Sequence, residues 1–382
     1  MDFLADRHGN GVYYHRLHAD PHAAMKAWRL ERAGGRLALE DRPVPEPQSG
    51  GAIVRMRAAP VLTYMADVIA GNLATYAFPD KPFTPGTGGY GDVTAVGRGV
   101  HGLKPGDRVV LNPHYVADGA TAEPAQILIG LTRISPDSAP LQADWPDGTF
   151  AEYAHLPAAV LTPVPIDLDL PAPAFATFGK FAVPYGGLQG IGLAAGETLI
   201  VNGASGNFGS AAVLLGVALG CARVIAAGRD AKALASVARK AGPRALAVGL
   251  SGDAARDVAA LREAAGGGAD AAIDLVGRAG DAGATLATLR ALRRGGRLSL
   301  MGSMTVPLPL PYGEMLINDW TVQGRFMYPR DAIGRLLRLA AAGTLAIDAV
   351  EISTHPLADL PAAMATSARQ RGLQATVLTM RE

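Results

Sequence analysis

Cysteine is almost absent from this sequence, which holds one thiol, Cys221, in 382 residues. A single cysteine cannot form a disulfide within the chain, and it cannot build a cysteine-rich zinc site. An excess of either charge is also absent, since 35 Lys and Arg residues face 34 Asp and Glu residues. Because nucleic-acid binding needs a basic surface, we expect no nucleic-acid partner and instead a small-molecule partner.

Long apolar runs are missing as well. No stretch of the sequence is long and apolar enough to span a membrane, and residues 1–24 lack the continuous apolar core of a secretory signal. We therefore expect no membrane partner and, together with the near absence of cysteine, a cytoplasmic location. The 382 residues, 49% of them hydrophobic, are enough for two cores, so we expect two domains.

The most informative stretch that is present covers residues 198–210, where an apolar strand runs into a glycine-rich turn. Residues 199–201 are typical of a buried parallel strand, and the small residues at 211–217 are typical of a helix packed closely on it. The free amides and the positive dipole end of such a helix favour a bound phosphate. The turn therefore predicts a dinucleotide site, and an ordinary tight turn is the alternative.

Two glycines of this turn carry the prediction, because a side chain at Gly206 or Gly209 would block the approach of a pyrophosphate. The pattern is imperfect, since Ala204 stands where the strict motif has its first glycine and Gly203 lies one residue earlier. After the turn, strand-like and helical stretches alternate. The strand-like stretches lie at 224–227, 271–277 and 297–302. This alternation predicts a doubly wound parallel sheet, in which dinucleotides bind at the carboxyl ends of the strands.

The residues after the second strand, Gly228-Arg229-Asp230, indicate which dinucleotide binds. Gly228 occupies the position where a carboxylate would accept hydrogen bonds from the ribose of NAD, and Arg229 offers a planar fork for a 2′-phosphate. The sequence therefore predicts NADPH (NADP) as the cofactor. Two alternatives stay open: Arg229 caps a helix or pairs with Asp230, or Asp230 turns back to the ribose. The predicted cofactor-binding residues are Ala204, Ser205, Gly206, Asn207, Phe208, Gly209, Gly228, Arg229, Val276, Gly302 and Ser303.

The flanking regions have a different composition. Residues 1–24 are polar and contain several histidines whose spacing matches no compact metal site, so we expect a flexible arm there. Between residues 51 and 161, short strand-like stretches alternate with Gly and Pro, which predicts a β-barrel-like domain. The section 115–147 has little periodicity and is expected to form a surface lobe over a site. A last strand at 375–378 is expected to close the first domain.

Taken together, these motifs resemble the medium-chain dehydrogenase/reductase superfamily, and within it the zinc-independent branch of quinone oxidoreductases and enone reductases. The motifs that carry the resemblance are Pro43-Val44-Pro45, Pro85-Gly86, Gly97-Arg98-Gly99-Val100, residues 105–109 and 148–153, the turn at 204–209, and Gly268-Ala269-Asp270 before Asp274. The resemblance implies an α/β fold with a GroES-like β-barrel catalytic domain at 25–177 and 313–382, and a Rossmann dinucleotide-binding domain at 178–312. It also implies a substrate cleft between them and a homodimer, with 306–308 as the candidate edge strand.

The zinc ligands of that superfamily are not matched in this chain. By the resemblance, Leu62 stands at the catalytic cysteine, and Thr87 and Gly88 stand at the histidine and the glutamate. Gly179 stands at the third ligand. Leucine and glycine side chains cannot coordinate zinc, and residues 112–147 lack the cysteines of a structural zinc loop. We therefore expect no metal.

Without a Lewis acid, conjugated alkenes and quinones accept hydride most easily, because neutral donors can stabilise the enolate oxygen that forms. The resemblance therefore implies an enzyme that uses NADPH, without zinc, to transfer hydride to a conjugated enone or quinone. Reduction of an isolated carbonyl or iminium group in a biosynthetic pathway is one alternative. A non-catalytic nicotinamide-binding protein is another.

Three side chains are candidates for catalysis. Tyr64 falls at the relay-hydroxyl position of the superfamily pattern and is the first candidate to donate a proton, with an aromatic pocket wall as the alternative. His114 follows a strand that, by the resemblance, lies at the mouth of the cleft, and it has suitable proton chemistry, or it caps a turn. Lys180 adjoins the lost third-ligand position and could reach the cofactor ribose or a substrate oxygen, or form a salt bridge on a helix. The predicted substrate-pocket residues are Leu62, Thr87, Tyr115, Phe326 and Tyr328.

Overall fold

A computed structural model describes residues 24–119, 121–277 and 279–381 of the protein. The predicted arm at 1–24 lies outside the described residues except for its last position. The first part of the chain forms, in order, β1 (Ala24–Leu30), β2 (Leu37–Pro43), β3 (Gly51–Val61), α1 (Met65–Ala70), β4 (Gly89–Val96), β5 (Arg108–Leu111), β6 (His114–Val116), β7 (Gln126–Leu128), β8 (Thr132–Arg133), α2 (Ala139–Asp144), β9 (Tyr153–Pro157), β10 (Leu161–Pro163) and α3 (Ala172–Ala176).

The middle of the chain is a regular alternation of helices and strands. In order, it forms α4 (Phe178–Gly190), β11 (Thr198–Asn202), α5 (Asn207–Ala218), β12 (Arg223–Gly228), α6 (Ala231–Ala241), β13 (Ala245–Gly249), α7 (Ala254–Ala265), β14 (Ala269–Asp274), α8 (Gly283–Arg290), β15 (Leu292–Leu300), α9 (Tyr312–Asn318) and β16 (Thr321–Gly324). The end of the chain adds α10 (Ala332–Ala341), β17 (Glu351–Pro356), α11 (Leu360–Ser367) and β18 (Gln374–Thr379). None of the described helices has the length and apolar character needed to cross a membrane.

The first sheet is centred on β3. Its strand order is β10-β5-β4-β3-β18-β17, and β9 also pairs with β3. The C-terminal strand β18 lies antiparallel to β3, with Thr376 opposite Val61 and Leu378 opposite Ala59. The prediction that the last strand closes the first domain is therefore confirmed, and this half of the molecule is built from both ends of the chain.

The second sheet contains six parallel strands in the order β13-β12-β11-β14-β15-β16. The chain runs outward from β11 to β13 and then returns to β14 on the other side of β11. The strand order therefore reverses between β11 and β14, and the predicted doubly wound sheet is confirmed. In such sheets a ligand binds beyond the carboxyl ends of the strands at the point of reversal.

One edge of this sheet differs from the prediction. The candidate edge strand at 306–308 is wrong, because residues 303–311, all of them described, contain no strand. Prolines at 307, 309 and 311 lack the N–H group that a strand ladder requires. The edge is formed instead by β16, which pairs in parallel with β15. The parallel sheet thus extends past residue 312, where the dinucleotide-binding domain was predicted to end.

The section 115–147 is more ordered than the predicted surface lobe. Strands β6, β7 and β8 form a small antiparallel sheet. The side chains of Ile127, Ile129 and Leu131 are buried in the hydrophobic core of the first half. These apolar residues stand at alternate positions, which is the pattern of a half-buried strand. The section therefore forms part of the wall of the first half.

Aromatic packing joins the two halves. Tyr90 of β4 stacks on Phe175 of α3 with 4.6 Å between the ring centroids, and Phe175 stacks on Phe178 of α4 at 6.2 Å. The same buried cluster includes Leu199 and Val201 of the parallel sheet. Because this core is continuous, the first half is held against the parallel sheet at the start of α4, and the cleft between them lies beside that helix.

Candidate active site

The glycine-rich turn between β11 and α5 begins at Gly203, whose φ of +81° is one that glycine adopts easily. A Cβ at this position would also lie 3.1 Å from the carbonyl carbon of Leu275. The next side chain, Ala204, is fully buried. Gly203 therefore takes the role that the strict motif gives to position 204, which explains why the imperfect motif still forms the turn.

Gly206 and Gly209 are needed for different reasons. Gly206 is the N-terminal cap of α5, which has no side-chain cap, so the N–H groups of residues 207–209 stay available to an anion. A Cβ at Gly209 would lie 2.0 Å from the carbonyl oxygen of Gly203. Glycine at 209 thus allows the helix to pack on the turn. That a side chain there would also block a pyrophosphate stays a prediction.

A cavity of about 490 Å³ opens where the loops after β11, β12 and β14 meet, and we call it the sheet-end cavity. The predicted cofactor residues that line it are Ser205, Gly206, Gly228, Arg229 and Val276. Lining residues that the sequence did not single out include Leu250, Asp257, Asp281 and Arg371. Because the cavity lies at the carboxyl ends of parallel strands, it occupies the place where nucleotides bind in doubly wound sheets.

The charged groups of the sheet-end cavity differ in whether they already have hydrogen-bond partners within the protein. Asp230 accepts a hydrogen bond from the backbone N–H of Ala233 at 3.0 Å and so caps α6. Asp257 accepts hydrogen bonds from the backbone N–H and the hydroxyl of Ser251, each at 2.7 Å. Within the described residues, Arg229 has no hydrogen-bond or ion-pair partner. Its guanidinium is therefore free to bind a ligand, and the alternative in which it pairs with Asp230 is not observed.

Asp274, at the end of β14, is a buried carboxylate that binds neutral donors. It accepts hydrogen bonds from the side-chain amide of Asn202 at 2.8 Å and the hydroxyl of Thr285 at 2.5 Å. It also accepts one from the backbone N–H of Val276 at 3.0 Å. These bonds join the ends of β11 and β14 to α8 and fix the loop that carries Val276. Gly302 packs on the same loop, since a Cβ there would lie 2.2 Å from the carbonyl oxygen of Val276.

Some predicted cofactor residues line neither cavity described in this section. Among the described residues these are Ala204, Gly209, Gly302 and Ser303. The first three support the turn or the loop at Val276, and the hydroxyl of Ser303 donates a hydrogen bond to the carbonyl oxygen of Gly277 at 3.4 Å. Their roles in this structure are therefore to shape the site.

A second cavity of about 240 Å³, which we call the cleft cavity, lies between the first half and the start of α5. The predicted site residues that line it are Leu62, Tyr64, Thr87, Lys180, Asn207, Phe208, Phe326 and Tyr328. Lining residues that the sequence did not single out include Tyr76, Leu128, Leu131, Val183, Met327, Gln370 and Thr376. Because Asn207 follows Gly206 directly, the two cavities adjoin at the start of α5. A ligand that crosses the helix start would reach both.

Tyr64 is a buried phenol on the wall of the cleft cavity. It lies immediately before α1, and its hydroxyl is 3.5 Å from the hydroxyl of Tyr76. Burial raises the pKa of Tyr64 well above its ordinary value, and the neighbouring Tyr76 raises it further. Tyr64 is therefore a neutral hydrogen-bond donor at physiological pH, as its candidate role requires.

The other hydroxyl groups of this cavity differ in their partners. Tyr328 donates a hydrogen bond to the side-chain oxygen of Asn112 at 2.7 Å, and burial raises the pKa of this phenol. Its proton is thus engaged, and Tyr328 forms part of the cavity wall. Among the described residues the hydroxyl of Thr87 has no hydrogen-bond partner, so it can serve a ligand in the cavity.

Lys180 reaches the cleft cavity from α4 but is bound by three neutral oxygens. Its ammonium donates to the side-chain oxygen of Asn207 at 2.5 Å and to the carbonyl oxygens of Gly372 at 2.8 Å and Gln374 at 3.3 Å. Burial lowers the pKa of Lys180 to about 7. The predicted alternative, a salt bridge on a helix, is not observed among the described residues. Three acceptors engage all three protons of the ammonium group.

His114 and Tyr115 are not among the described residues that line the cleft cavity. The Nε2 atom of His114 lies 3.0 Å from the side-chain oxygen of Gln126, and burial lowers the pKa of the imidazole. The ring packs edge-on against Phe326, with 5.8 Å between the centroids. Tyr115 packs instead on Trp145 at 6.4 Å. Both residues lie in β6, and His114 packs against Phe326 and Tyr328, which do line the cavity. The structure does not bring either His114 or Tyr115 to the cavity itself.

The positions that correspond to zinc ligands do come together. Leu62, Thr87 and Gly179 all line the cleft cavity. None of them carries the thiolate, imidazole or carboxylate that zinc prefers. Among the described residues, no group of three or more His, Cys, Asp or Glu side chains could hold a metal ion. The donors at this place therefore do not fit a zinc ion.

Comparison with known protein families follows the same division into two halves. A family model described as alcohol dehydrogenase GroES-like domain matches residues 48–166, and one described as zinc-binding dehydrogenase matches residues 208–342. The chain belongs to the medium-chain dehydrogenase/reductase superfamily. As a member of this superfamily it is an oxidoreductase that binds a nicotinamide cofactor.

Individual proteins resemble most of the chain. An alcohol dehydrogenase from Moraxella sp. is 29% identical over 320 residues, which cover 84% of this chain and 89% of that protein. The structure of AibC has a TM-score of 0.77 at 24% identity and covers 97% of this chain and 100% of its own. A Sinorhizobium meliloti structure described as a zinc-binding dehydrogenase bound to NADP has a TM-score of 0.75 at 23% identity and covers 94% and 100%. These structures confirm the predicted fold class, a GroES-like domain with a Rossmann-like parallel sheet.

Proposed function

We propose that the protein is an NADPH-dependent, zinc-independent reductase that transfers hydride to a conjugated enone or quinone. The observation that carries this proposal is the set of side chains around the zinc-ligand positions, where the cleft cavity has apolar walls and the neutral hydroxyls of Tyr64 and Thr87. The amine that lines it, Lys180, already binds three oxygens of the protein. No Asp, Glu or His side chain is among the described residues that line it. Neutral donors stabilise an enolate oxygen but do not take the proton from an alcohol. The cavity therefore suits a substrate that accepts hydride without strong polarisation.

The chain would hold the cofactor along both cavities. The free N–H groups of residues 207–209 suit the pyrophosphate at the start of α5. Val276, fixed by Asp274, would contact the cofactor from the loop after β14. When bound, the cofactor supplies the hydride, and the protein orients it towards the cleft cavity.

Tyr64 is the hydrogen-bond donor to the substrate oxygen in this proposal. When hydride reaches the β-carbon of an enone, the electron pair of the C=C bond moves to form an enolate. The phenol of Tyr64 donates a hydrogen bond to the enolate oxygen, because burial keeps this phenol protonated. A proton from Tyr64 or from water then gives the saturated ketone, and the phenol regains any lost proton from solvent.

The preference for NADPH rests on the sheet-end cavity. Arg229 lines it with a free guanidinium, and Arg371 lines it from the opposite half of the molecule. Asp230, the nearest residue with a carboxylate in the chain, is engaged in capping α6. A charge-assisted pair between a guanidinium and a 2′-phosphate distinguishes NADPH from NADH.

Reduction of an isolated carbonyl is a second candidate function. The observation that favours it is the similarity to proteins named alcohol dehydrogenase, among them the Moraxella protein. Tyr64 would then protonate the alkoxide oxygen that forms on the former carbonyl. The two candidates differ in which carbon receives the hydride.

We also propose that the protein forms a homodimer through β16, the edge of the parallel sheet. Exposed apolar side chains concentrate in and just before α9, the helix that precedes β16 in the chain and packs on β15, and they are Leu310, Tyr312, Leu316 and Ile317. An exposed apolar patch and a free strand edge both favour pairing with a second copy. Light scattering should give the mass of a dimer for the wild type and of a monomer for the double variant Leu316→Asp, Ile317→Asp. A monomeric wild type would contradict this part of the proposal.

Consumption of NADPH against enones, quinones, ketones and an imine, with and without a strong chelator, tests the proposed reaction. We expect chelator-resistant turnover with enones or quinones. Turnover confined to ketones or the imine would replace the first candidate with carbonyl or iminium reduction. NADPH binding with no turnover on any of these electrophiles would support a non-catalytic role.

A further inference from the structure

Residues 370–376, which we call the junction segment, lie where the two cavities adjoin. Arg371 of this segment lines the sheet-end cavity, whereas Gln370, Ala375 and Thr376 line the cleft cavity. Between them, the backbone N–H of Gly372 donates a hydrogen bond to the carbonyl oxygen of Ser205 at 3.0 Å. The C-terminal end of the chain therefore contacts the dinucleotide turn directly, at the place that a dinucleotide spanning both cavities would cross.

Lys180 fastens the junction segment to the turn from a third element, α4. Its ammonium joins Asn207, the first residue of α5, to the carbonyl oxygens of Gly372 and Gln374. The side chain is buried, and the residue as a whole is 8% exposed. Burying a lysine that binds only neutral oxygens costs folding free energy, because the charge is removed from water without a counter-ion. The three hydrogen bonds of Lys180 offset part of this cost.

The number of bonds that Lys180 can make depends on its charge. The ammonium has three N–H groups for three acceptors, whereas the neutral amine has two, so loss of the proton leaves one of these oxygens without its bond from Lys180. Burial alone brings the pKa of this group to about 7. The other titratable groups of the cleft cavity are the phenols of Tyr64, Tyr76 and Tyr328, and no carboxylate is among its described lining residues. The charged side chain on the junction segment is Arg371, which lines the neighbouring cavity.

We propose that Lys180 is a positioning residue whose protonated form holds the junction segment against the dinucleotide turn and thereby sets the affinity for NADPH. This inference rests on the proposed NADPH-dependent function. A segment that is already ordered costs less to fix when the cofactor binds, and the ammonium also adds positive potential beside an anionic ligand. Both effects weaken when the proton leaves, so NADPH binding weakens as the pH rises through about 7.

Hydrogen exchange of the protein without cofactor tests the contact itself. Lys180→Met preserves the length of the side chain but removes the charge and the donors. We expect the amides of the junction segment to exchange about tenfold faster or more in this variant. The matched control is Lys26→Met, because Lys26 pairs with Asp41 at 2.6 Å in the separate two-stranded sheet of β1 and β2. Unchanged exchange in Lys180→Met would overturn the proposal.

NADPH binding measured by fluorescence at about pH 6 and about pH 8 tests the role of the charge. With a pKa of about 7, Lys180 changes from about nine-tenths to about one-tenth protonated over this interval, so we expect the wild-type affinity to fall by up to about tenfold. Lys180→Met should bind more weakly and lose this part of the pH dependence, leaving only the titration of the 2′-phosphate that every variant shares. Lys180→Arg should remain charged at both pH values and also lose it.

The outcomes separate this inference from the proposed function. Wild-type protein that binds no NADPH at either pH would refute the proposed function and with it the role of Lys180 in affinity. Wild type and Lys180→Met with equal NADPH affinities at both pH values would refute the inference and leave the proposed function standing. Faster exchange together with the weaker, less pH-dependent binding would support both.

Discussion

The two cavities of this protein are assembled in different ways. Apart from Arg371, the sheet-end cavity is lined by residues between 202 and 284, within one run of alternating strands and helices. The cleft cavity collects residues from 60 to 376, which come from both ends of the chain and from its middle. The cofactor end of the site is thus a local property of the sequence, whereas the substrate end is a property of the whole fold.

The largest effect on cofactor binding is expected from a substitution of Gly209 in the glycine-rich turn. A Cβ at Gly209 would lie 2.0 Å from the carbonyl oxygen of Gly203, so Gly209→Ala should displace the helix start. We expect NADPH affinity, measured by fluorescence titration, to fall about a hundredfold or more. Gly313→Ala in α9 is the matched control, because no described atom outside its own helix lies within 4 Å of a Cβ there and Gly313 lines neither cavity. Equal losses in the two variants would refute the special role of the turn.

The next effect concerns the phenol of the cleft cavity. Tyr64→Phe should lower kcat about tenfold to a hundredfold and leave NADPH affinity unchanged, because in the proposed reaction the hydroxyl contacts the substrate oxygen and not the cofactor. Tyr328→Phe is the control, since that hydroxyl is engaged by Asn112. Steady-state kinetics with a conjugated enone would measure kcat for both variants. Unchanged turnover in Tyr64→Phe would show that the Tyr64 ring only shapes the cavity.

A smaller effect is expected at the sheet-end cavity. Arg229→Ala removes the free guanidinium, so NADPH binding should weaken about tenfold, which corresponds to about 1.4 kcal/mol. NADH has no 2′-phosphate, and its affinity should barely change. Calorimetric titration with both cofactors measures the difference. An equal loss for NADPH and NADH would show that Arg229 acts on the turn rather than on a phosphate.

The smallest effect is expected from a substitution of His114. His114→Gln removes a titratable imidazole that is not among the described residues lining the cleft cavity. We expect kcat to change by less than about threefold, well below the contribution of a general acid. A loss comparable to that of Tyr64→Phe, with NADPH affinity intact, would show that His114 reaches the substrate after all.

The same contrast explains what the sequence could predict. The turn, the strands at 199–201 and 224–227, and the doubly wound sheet follow from local patterns, since a buried parallel strand and its following helix are contiguous in the chain. Even the imperfect motif was sufficient, because Gly203 adopts the conformation that a glycine at 204 was expected to provide. The closing strand at 375–378 was also predicted correctly.

The substrate end of the site was harder to predict because its members are distant in sequence. Tyr76 and Gln370 line the cleft cavity, but no local pattern relates either of them to Tyr64. The family resemblance placed His114 and Tyr115 at the cleft mouth, yet neither is among the described residues that line the cavity. For Lys180, the sequence indicated the location but not the three oxygens that bind it, since two of them belong to residues almost two hundred positions away.

We propose that the absence of zinc ligands at Leu62, Thr87 and Gly179 directs hydride to a conjugated carbon rather than to a carbonyl carbon. The most direct test uses NADPH that carries deuterium at the transferable position, together with chelator-treated enzyme and a conjugated enone. NMR spectroscopy of the product then locates the label. We expect a saturated ketone with deuterium at the β-carbon. An allylic alcohol with deuterium on the former carbonyl carbon would contradict it.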